Sequence, residues 1–249
     1  MELLYIFLAA FVIGAAYILE AVTSFGSGII ALPFLSALIG IKTAVPVLAC
    51  VSCLFTAYVV AVNRNHIRKK EYFTIIGCAI PGIPLGMLAF STMNESVLKL
   101  ILGIFVLAAA LRSVLAHKGI INKSSSLPNP VYYLLLFFGG IVQGAFVTGG
   151  PLIVLYSAYK IKDKSEFRAT MCAVWLTLNS LLIIGNLIAG DVLTTRVFSV
   201  VGISIPLLIV GVFVGWRLHK KVSADKFFSL VYFVLFASGV SMIVNALIG

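Results

Sequence analysis

The chain has 249 residues, of which 61% are hydrophobic and only 10% are charged. Soluble domains are about 45–50% apolar and about 25% charged, so this composition excludes a water-soluble globular protein. The net charge of +10 comes from basic residues scattered over short loops. That pattern is typical of orientation in a membrane and does not indicate nucleic-acid binding. We therefore expect an all-α polytopic membrane protein whose surroundings are the lipid bilayer.

Apolar segments follow one another along the whole chain, and most have the roughly 20 residues that span a bilayer. The N-terminal one begins with Glu2 and lacks a positive region, so we expect a membrane helix and not a cleaved signal. The first and fifth are too long for one crossing, and we expect each to fold into a helical hairpin. The segments cover residues 3–40, 43–62, 72–92, 96–116, 131–159, 169–189, 196–216 and 227–248.

Glycine-rich breaks interrupt both long segments, in SFGSGIIALPFL (24–35) and FVTGGPLIVLY (146–156). Pro151 fits the first turn of a new helix, where no backbone N–H is lost. Freed backbone groups are tolerated in lipid only where they face protein or a water-filled cavity. A helix N-terminus presents unpaired N–H groups and about +0.5 charge. Two such ends that face each other predict a binding site for a small anion.

The two halves of the chain resemble each other weakly but in the same order, at offsets of 122 to 127 residues. The polar linker between them is rich in Ser, Asn and Pro. We predict a first transmembrane repeat over 1–116, a linker over 117–130 and a second repeat over 131–249. The matches are Gly28 with Gly150, Lys42 with Arg168, Gly77-x-x-x-Pro81 with Gly202-x-x-x-Pro206, and SVLK (96–99) with SADK (223–226).

Loop charges indicate that the second repeat is inverted relative to the first. Loop 63–71 holds four Lys or Arg and its counterpart 190–196 holds one, whereas 40–43 holds one and its counterpart 160–168 holds four. Equivalent loops of inverted repeats lie on opposite faces, which explains this alternation. With a hairpin and three membrane helices in each repeat, 15 of the 18 basic residues face the cytoplasm. The linker is then cytoplasmic and both termini lie outside.

Polar and glycine residues near the two breaks are the candidate anion ligands. Their hydroxyl, amide and backbone N–H groups could complete the hydrogen bonds of an anion, although such side chains also commonly join membrane helices. The candidates are Ser24, Gly26, Ser27, Gly28, Gln143, Thr148, Gly149, Gly150, Pro151, Thr177 and Asn179.

Glu20 is the one acidic residue within a core segment, six residues before the first break. Burial of a charge there costs a few kcal/mol, so the side chain needs a partner, water or a function. One hypothesis is a proton carrier that couples transport to the proton gradient. The alternative is a carboxyl that reaches the interface or bonds to a helix start.

Cys50 and Cys53 form a CxxC motif, but all three histidines lie in loops and no second cysteine pair is present. We interpret these thiols as small apolar side chains on a buried helix. The sequence therefore predicts no metal, no cofactor and no enzymatic activity. An intramembrane hydrolase built on Ser27 would need a base, and no histidine lies in a core segment.

At these breaks the chain resembles the sulfite exporter TauE/SafE family of bacterial inner-membrane proteins. The resemblance rests on SFGSGIIALPFL, on GAFVTGGPLIVLY, and on GxxxG in the third helix of each half. It covers nearly the whole chain, although Ser27 replaces the middle of a usual run of three glycines. The resemblance implies a secondary transporter, an exporter of sulfite, a sulfonate or another small sulfur-containing anion. A passive anion channel and a homodimeric assembly stay open at this point.

Overall fold

The computed structural model describes residues 2–23, 26–117, 128–190 and 193–218, with six isolated positions (236, 239, 240, 243, 244 and 246). These ranges contain ten α-helices, one short 3-10 turn at Arg64–His66 and no strand. The eighth predicted segment and most of the linker lie outside them. The helices are α1 (Glu2–Thr23), α2 (Ser27–Ile39), α3 (Ile41–Asn63), α4 (Lys69–Ala79), α5 (Gly82–Thr92), α6 (Glu95–His117), α7 (Asn129–Phe146), α8 (Gly150–Lys160), α9 (Lys164–Ala189) and α10 (Thr195–Leu218).

Five helices within the described part of the chain are long and apolar enough to cross a membrane, and the bent pair α4–α5 brings the number to six. Large apolar side chains cover their outer faces, among them Phe11, Phe73 and Phe138, which are more than half exposed. Exposed apolar side chains of this size suit a lipid environment. The predicted all-α polytopic membrane fold is therefore confirmed.

Both long segments fold back at their glycines, as predicted. In the second, the ring of Tyr132 stacks on that of Tyr159 at 5.2 Å, and Gly139 faces the side chain of Ile153. The contacts pair later residues of α7 with earlier residues of α8, as antiparallel helices do, which makes α7 and α8 a helical hairpin. In the first, α1 and α2 pack against each other in the same way on either side of a break at residues 24–26.

The segment predicted over 72–92 forms two helices, which together are long and apolar enough for one broken span. The axes of α4 and α5 differ by 42° at a turn through Ile80 and Pro81. Proline has no N–H to donate and clashes with the carbonyl of the preceding turn, which interrupts a helix. Pro206 occupies the matching place in α10 but leaves that helix continuous, so proline alone does not set the bend.

Helices of the two halves pair with each other across the core. The first helix of each half packs on a helix from the third apolar segment of the other half. These pairs are α1 with α10 and α7 with α5, and α3 crosses α9 at the centre. The contact between α5 and α7 is a backbone contact, because a Cβ on Gly86 would lie 2.1 Å from the carbonyl oxygen of Ile141. The same close approach joins α10 to α1, where Gly211 lies against Gly14. These small residues allow the helices to approach closely.

The helices α3 and α9 run in opposite directions where they cross. Ser52, halfway along α3, bonds to Asn179 of α9. The chain just after α3 reaches the beginning of α9, since the N–H of Arg68 donates to the hydroxyl of Thr170 at 2.9 Å. The C-terminal end of α3 therefore lies beside the N-terminal end of α9.

Candidate functional site

The two breaks touch each other at the centre of the molecule. A Cβ built on Gly28 would lie 2.5 Å from the carbonyl oxygen of Val147 and 3.4 Å from the methyl group of Thr148. Only glycine permits this approach of one backbone to the other. A cavity lies at the contact and receives residues from α1, α2, α3, α7, α9 and the start of α8.

The starts of α2 and α8 both reach this cavity. The first intrahelical bond of α2 is donated by Ile30 to Gly26, and that of α8 by Ile153 to Gly149. Earlier N–H groups in each helix have no carbonyl of their own helix to bond, as at every helix N-terminus. Gly28, Ile29 and Gly150 carry such groups and line the cavity, whereas the N–H of Ser27 bonds to Glu20. The site thus combines free backbone donors with the positive ends of two helix dipoles.

At the first break, the carboxyl of Glu20 faces the start of α2. Gly26 takes φ +106°, a left-handed conformation that turns the chain from α1 into α2. Glu20 is only 3% exposed, and its hydrogen-bonding neighbour is Ser27, through both the hydroxyl and the backbone N–H. An acidic group therefore occupies the end of the helix where a bound anion would be stabilised.

At the second break, an amide takes the place of that carboxyl. The N–H of Gly149 donates to Oε1 of Gln143 at 3.0 Å. Val147 adopts φ +58°, which is unusual for a β-branched residue and marks local backbone strain. Val147 and Thr148 both line the cavity, so the strained turn forms part of its wall.

Hydrogen bonds connect the second break to the crossing of α3 and α9. Nε2 of Gln143 donates to Oδ1 of Asn179 at 2.7 Å, and Nδ2 of Asn179 donates to the hydroxyl of Ser52 at 2.9 Å. All three side chains are buried and line the cavity. This chain of bonds fixes the amide of Gln143 and leaves its oxygen directed at Gly149.

Two hydroxyl groups in the wall have no hydrogen-bond partner among the described residues. They belong to Tyr17, which is fully buried, and to Thr148, which is 2% exposed. Tyr17 lies next to Ser27 and Ser52. Buried hydroxyls without partners are costly, so unfilled donors and acceptors in a cavity indicate room for a polar ligand.

Most of the predicted site residues meet at this cavity. Gly149 and Pro151 belong to the same turn without lining the cavity, and Ser24 lies outside the described residues. Thr177 lies elsewhere, because its hydroxyl bonds to the hydroxyl of Tyr72 at 2.7 Å. The predicted residues that line the cavity are Glu20, Gly26, Ser27, Gly28, Gln143, Thr148, Gly150 and Asn179.

Six residues of the cavity wall were missed by the sequence interpretation. Two signals could have found some of them. Tyr17 lies one helical turn before Glu20, and Ser52 lies 127 residues before Asn179, at the offset of the internal repeat. The missed residues are Tyr17, Ile29, Leu48, Ser52, Val147 and Trp175.

Comparison with known proteins assigns this arrangement to a family. The family described as sulfite exporter TauE/SafE matches residues 6–242, a range that contains both breaks and the whole cavity. The chain belongs to the sulfite exporter TauE/SafE family. The protein is accordingly a multi-pass membrane transporter, and its apolar helices are those of a membrane protein.

One curated protein that is similar to this chain is named as a transporter. The chain is 23% identical over 184 residues to the probable inner membrane transporter protein TsaS of Comamonas testosteroni. The match covers 72% of this chain and 74% of that protein. No solved structure matches the chain.

Proposed function

We propose that this TauE/SafE family member is a secondary transporter that exports a small sulfur-containing anion, such as sulfite or a sulfonate, across the bacterial cytoplasmic membrane. The observation that carries the proposal is the convergence of two helix starts on one cavity, in direct contact through Gly28 and Val147. The family description supports the substrate class. The name of the TsaS relative, an inner membrane transporter protein, supports the choice of membrane.

The two halves are proposed to be inverted repeats. Equivalent helices related by a two-fold axis in the membrane plane run in opposite directions, and α3 and α9 meet in that way. The exchange of partners between α1–α10 and α5–α7 supports a two-fold relation as well. The loop charges then place the linker in the cytoplasm and both termini outside.

Glu20 and Gln143 hold equivalent positions under this relation. Each lies six residues before the glycine that ends its break, and each faces an N–H at the start of the next helix. Glu20 and Gln143 are 123 residues apart. The same offset aligns Ser27 with Gly150, the first residues of α2 and α8. It differs by one residue from the Gly28–Gly150 match of the sequence interpretation.

This placement supports the proposed coupling to protons. An ionised Glu20 would compete with a bound anion for the start of α2 and would repel it at short range. Protonation of Glu20 removes the negative charge and leaves the N–H groups of α2 available. The anion and a proton would therefore bind together, and both would be released together.

A binding experiment tests the substrate class. The purified protein is heated in detergent with sulfite, sulfate, thiosulfate or a short sulfonate, and the unfolding temperature is recorded. A ligand at 100 times its Kd stabilises the folded state by about 2.7 kcal/mol, which a thermal scan detects. We expect sulfite or a sulfonate to raise the unfolding temperature and Gly28→Val to reduce that rise, because the substitution fills the central cavity. No stabilisation by any of the four would contradict the proposal.

Liposome transport distinguishes the coupled transporter from a passive channel. Sulfite flux is measured with and without an imposed pH gradient, in the original protein and in Glu20→Gln. The coupled mechanism predicts that a proton gradient in the direction of the sulfite flux accelerates it, that the opposite gradient slows it, and that neither has an effect in the variant. Flux that ignores the gradient in both proteins would favour the channel.

A further inference from the structure

One face of α9 carries a line of side chains that leads away from the cavity. Arg168, Cys172, Trp175 and Asn179 are spaced by four, three and four residues, so they lie on one face of the helix. Trp175 and Asn179 line the cavity. Arg168 is about 10 Å further along the axis than Trp175, toward the beginning of α9.

The guanidinium of Arg168 is incompletely bonded. The side chain is half-buried, and its Nε is buried without a hydrogen-bond partner among the described residues. Cys172, one turn further along α9, is fully buried. The carboxyl of Glu166, two residues before Arg168, lies 3.5 Å from Arg68. A partly buried cationic donor is thus left open to an anion.

Trp175 separates this cation from the cavity. Its side chain is 5% exposed and belongs to the cavity wall, while Cys172 and Arg168 follow on the side away from Asn179. On this face of α9, Trp175 therefore lies between Arg168 and Asn179.

The equivalent cation of the first half is already bonded. Lys42, which the internal repeat aligns with Arg168, donates from Nζ to the carbonyl oxygen of Phe90 at 2.6 Å. The same ammonium group lies 4.9 Å from the centre of the Phe90 ring. Lys42 therefore holds the C-terminal end of α5, and its charge serves the fold. Lys42 and Arg168, at the two ends of the proposed transport route, therefore differ in whether the cation is already bonded within the protein.

We propose that Arg168 forms a second anion-binding position, one step from the central cavity and separated from it by Trp175. The inference rests on the proposed function and adds a route to it. The connection from the end of α8 to the start of α9 carries Lys160, Lys162 and Lys164. These residues mark this side as cytoplasmic under the proposed orientation. A cytoplasmic sulfite or sulfonate anion binds the guanidinium first and then enters the cavity as Trp175 moves aside.

Transport kinetics test the role of Arg168. Sulfite flux is measured in liposomes with sulfite on the side of the α9 start, at several salt concentrations, for Arg168→Gln, Arg168→Lys and Lys42→Gln. A charge-assisted hydrogen bond of the usual strength predicts an about tenfold higher KM in Arg168→Gln. The salt dependence of KM should weaken in the same variant and be retained in Arg168→Lys. Lys42→Gln should lower the unfolding temperature and leave KM unchanged.

The fluorescence of Trp175 provides a test that does not depend on transport. The chain has two tryptophans, so Trp216→Phe leaves Trp175 as the single reporter. Sulfite is titrated into this protein in detergent, with and without Arg168→Gln. We expect a saturable change whose midpoint rises about tenfold in the arginine variant. A Gly28→Val substitution in the central cavity should leave the part of the fluorescence change that comes from sulfite bound at Arg168.

The two experiments separate failure of the inference from failure of the proposed function. An unchanged KM, salt dependence and fluorescence midpoint in a folded Arg168→Gln protein would overturn the second position and leave the central cavity untouched. Absence of any sulfite flux in the original protein, with the fluorescence response intact, would count against the transport substrate and support the Arg168 position. No fluorescence response in the original protein would contradict the inference.

Discussion

The two breaks share a geometry and differ in one functional group. In each, a side chain six residues before a glycine faces the N–H at the start of a short helix, but Glu20 does so with a carboxyl and Gln143 with an amide. The amide is fixed by Asn179, which bonds to Ser52. One break can therefore change its charge with pH, while the other keeps the same donors and acceptors at every pH.

A second difference concerns the turns themselves. The first break turns through Gly26, for which a left-handed φ costs little, and the second turns through Val147, for which it is strained. The break with the titratable carboxyl thus has the relaxed turn, and the break with the amide has the strained one. Under the proposed repeat relation, the two halves therefore differ both in this group and in the turn beside it.

The largest expected effect comes from separating the breaks. In Gly28→Val, the new side chain would overlap the carbonyl of Val147, and overpacking of this kind costs about 1–3 kcal/mol. We expect sulfite transport, measured in liposomes, to disappear and sulfite-induced stabilisation, measured by thermal unfolding, to fall to the part that binding at Arg168 contributes. Gly77→Ala is the matched control, because a Cβ on Gly77 meets no atom within 4 Å. Normal transport in the valine variant would show that the contact is dispensable.

A smaller effect is expected when the neutral break is made acidic. Gln143 is 1% exposed, so Gln143→Glu places a carboxyl in a buried site within the membrane, at a cost of up to about 3 kcal/mol. A protonated carboxyl avoids that cost and can donate to Asn179 in place of the amide. The loss in unfolding temperature should therefore be large at alkaline pH and should shrink as the pH falls. A loss independent of pH would mean that the new carboxyl does not ionise.

Exchange of the two groups tests whether the breaks are equivalent. The double variant Glu20→Gln with Gln143→Glu keeps one carboxyl and one amide but transfers the acid to the second break. If the breaks are equivalent, the dependence of sulfite flux on the pH gradient, which Glu20→Gln removes, should return in part. Flux as insensitive as in the single variant would show that only the first break can couple protons.

The smallest effect is expected at one hydrogen bond between the two halves, from Asn179 to Ser52. Ser52→Ala leaves Nδ2 of Asn179 without its partner, and hydrogen bonds between membrane helices contribute about 0.6–2 kcal/mol. We expect a modest fall in the unfolding temperature and in transport rate. Ser36→Ala is the control, because the hydroxyl of Ser36 bonds only to the carbonyl of Pro33 in its own helix. Equal effects of both substitutions would argue against a specific role of the crossing.

The sequence interpretation succeeded where a signal is rare in membrane helices. Glycines and a proline within long apolar segments are uncommon enough to identify both breaks, and the excess length of those segments identified the hairpins. Glu20 and Gln143 were found for the same reason, since buried polar side chains are few. Segment 72–92 holds a similar signal in Pro81 and Gly82, but it has no excess length, and the matching Pro206 leaves α10 continuous, so the bend was missed.

The interpretation failed where the direction of a side chain decides its role. Thr177 and Asn179 are two residues apart on α9, so about 200° separates them and only Asn179 reaches the cavity. Leu48 and Trp175 look like any apolar residue of a membrane helix, because a sequence does not show which face meets a cavity and which meets lipid. That choice depends on the packing of α3 against α9.

The contact between Gly28 and the carbonyl of Val147 also constrains how this sequence can diverge. A carbonyl oxygen is present whatever the residue, so position 147 can vary while position 28 cannot. Homologues that keep the touching turns should therefore be nearly invariant at the first position and variable at the second. A lineage that acquired a side chain at position 28 would have to move its second turn away, and its ligand would gain space between them.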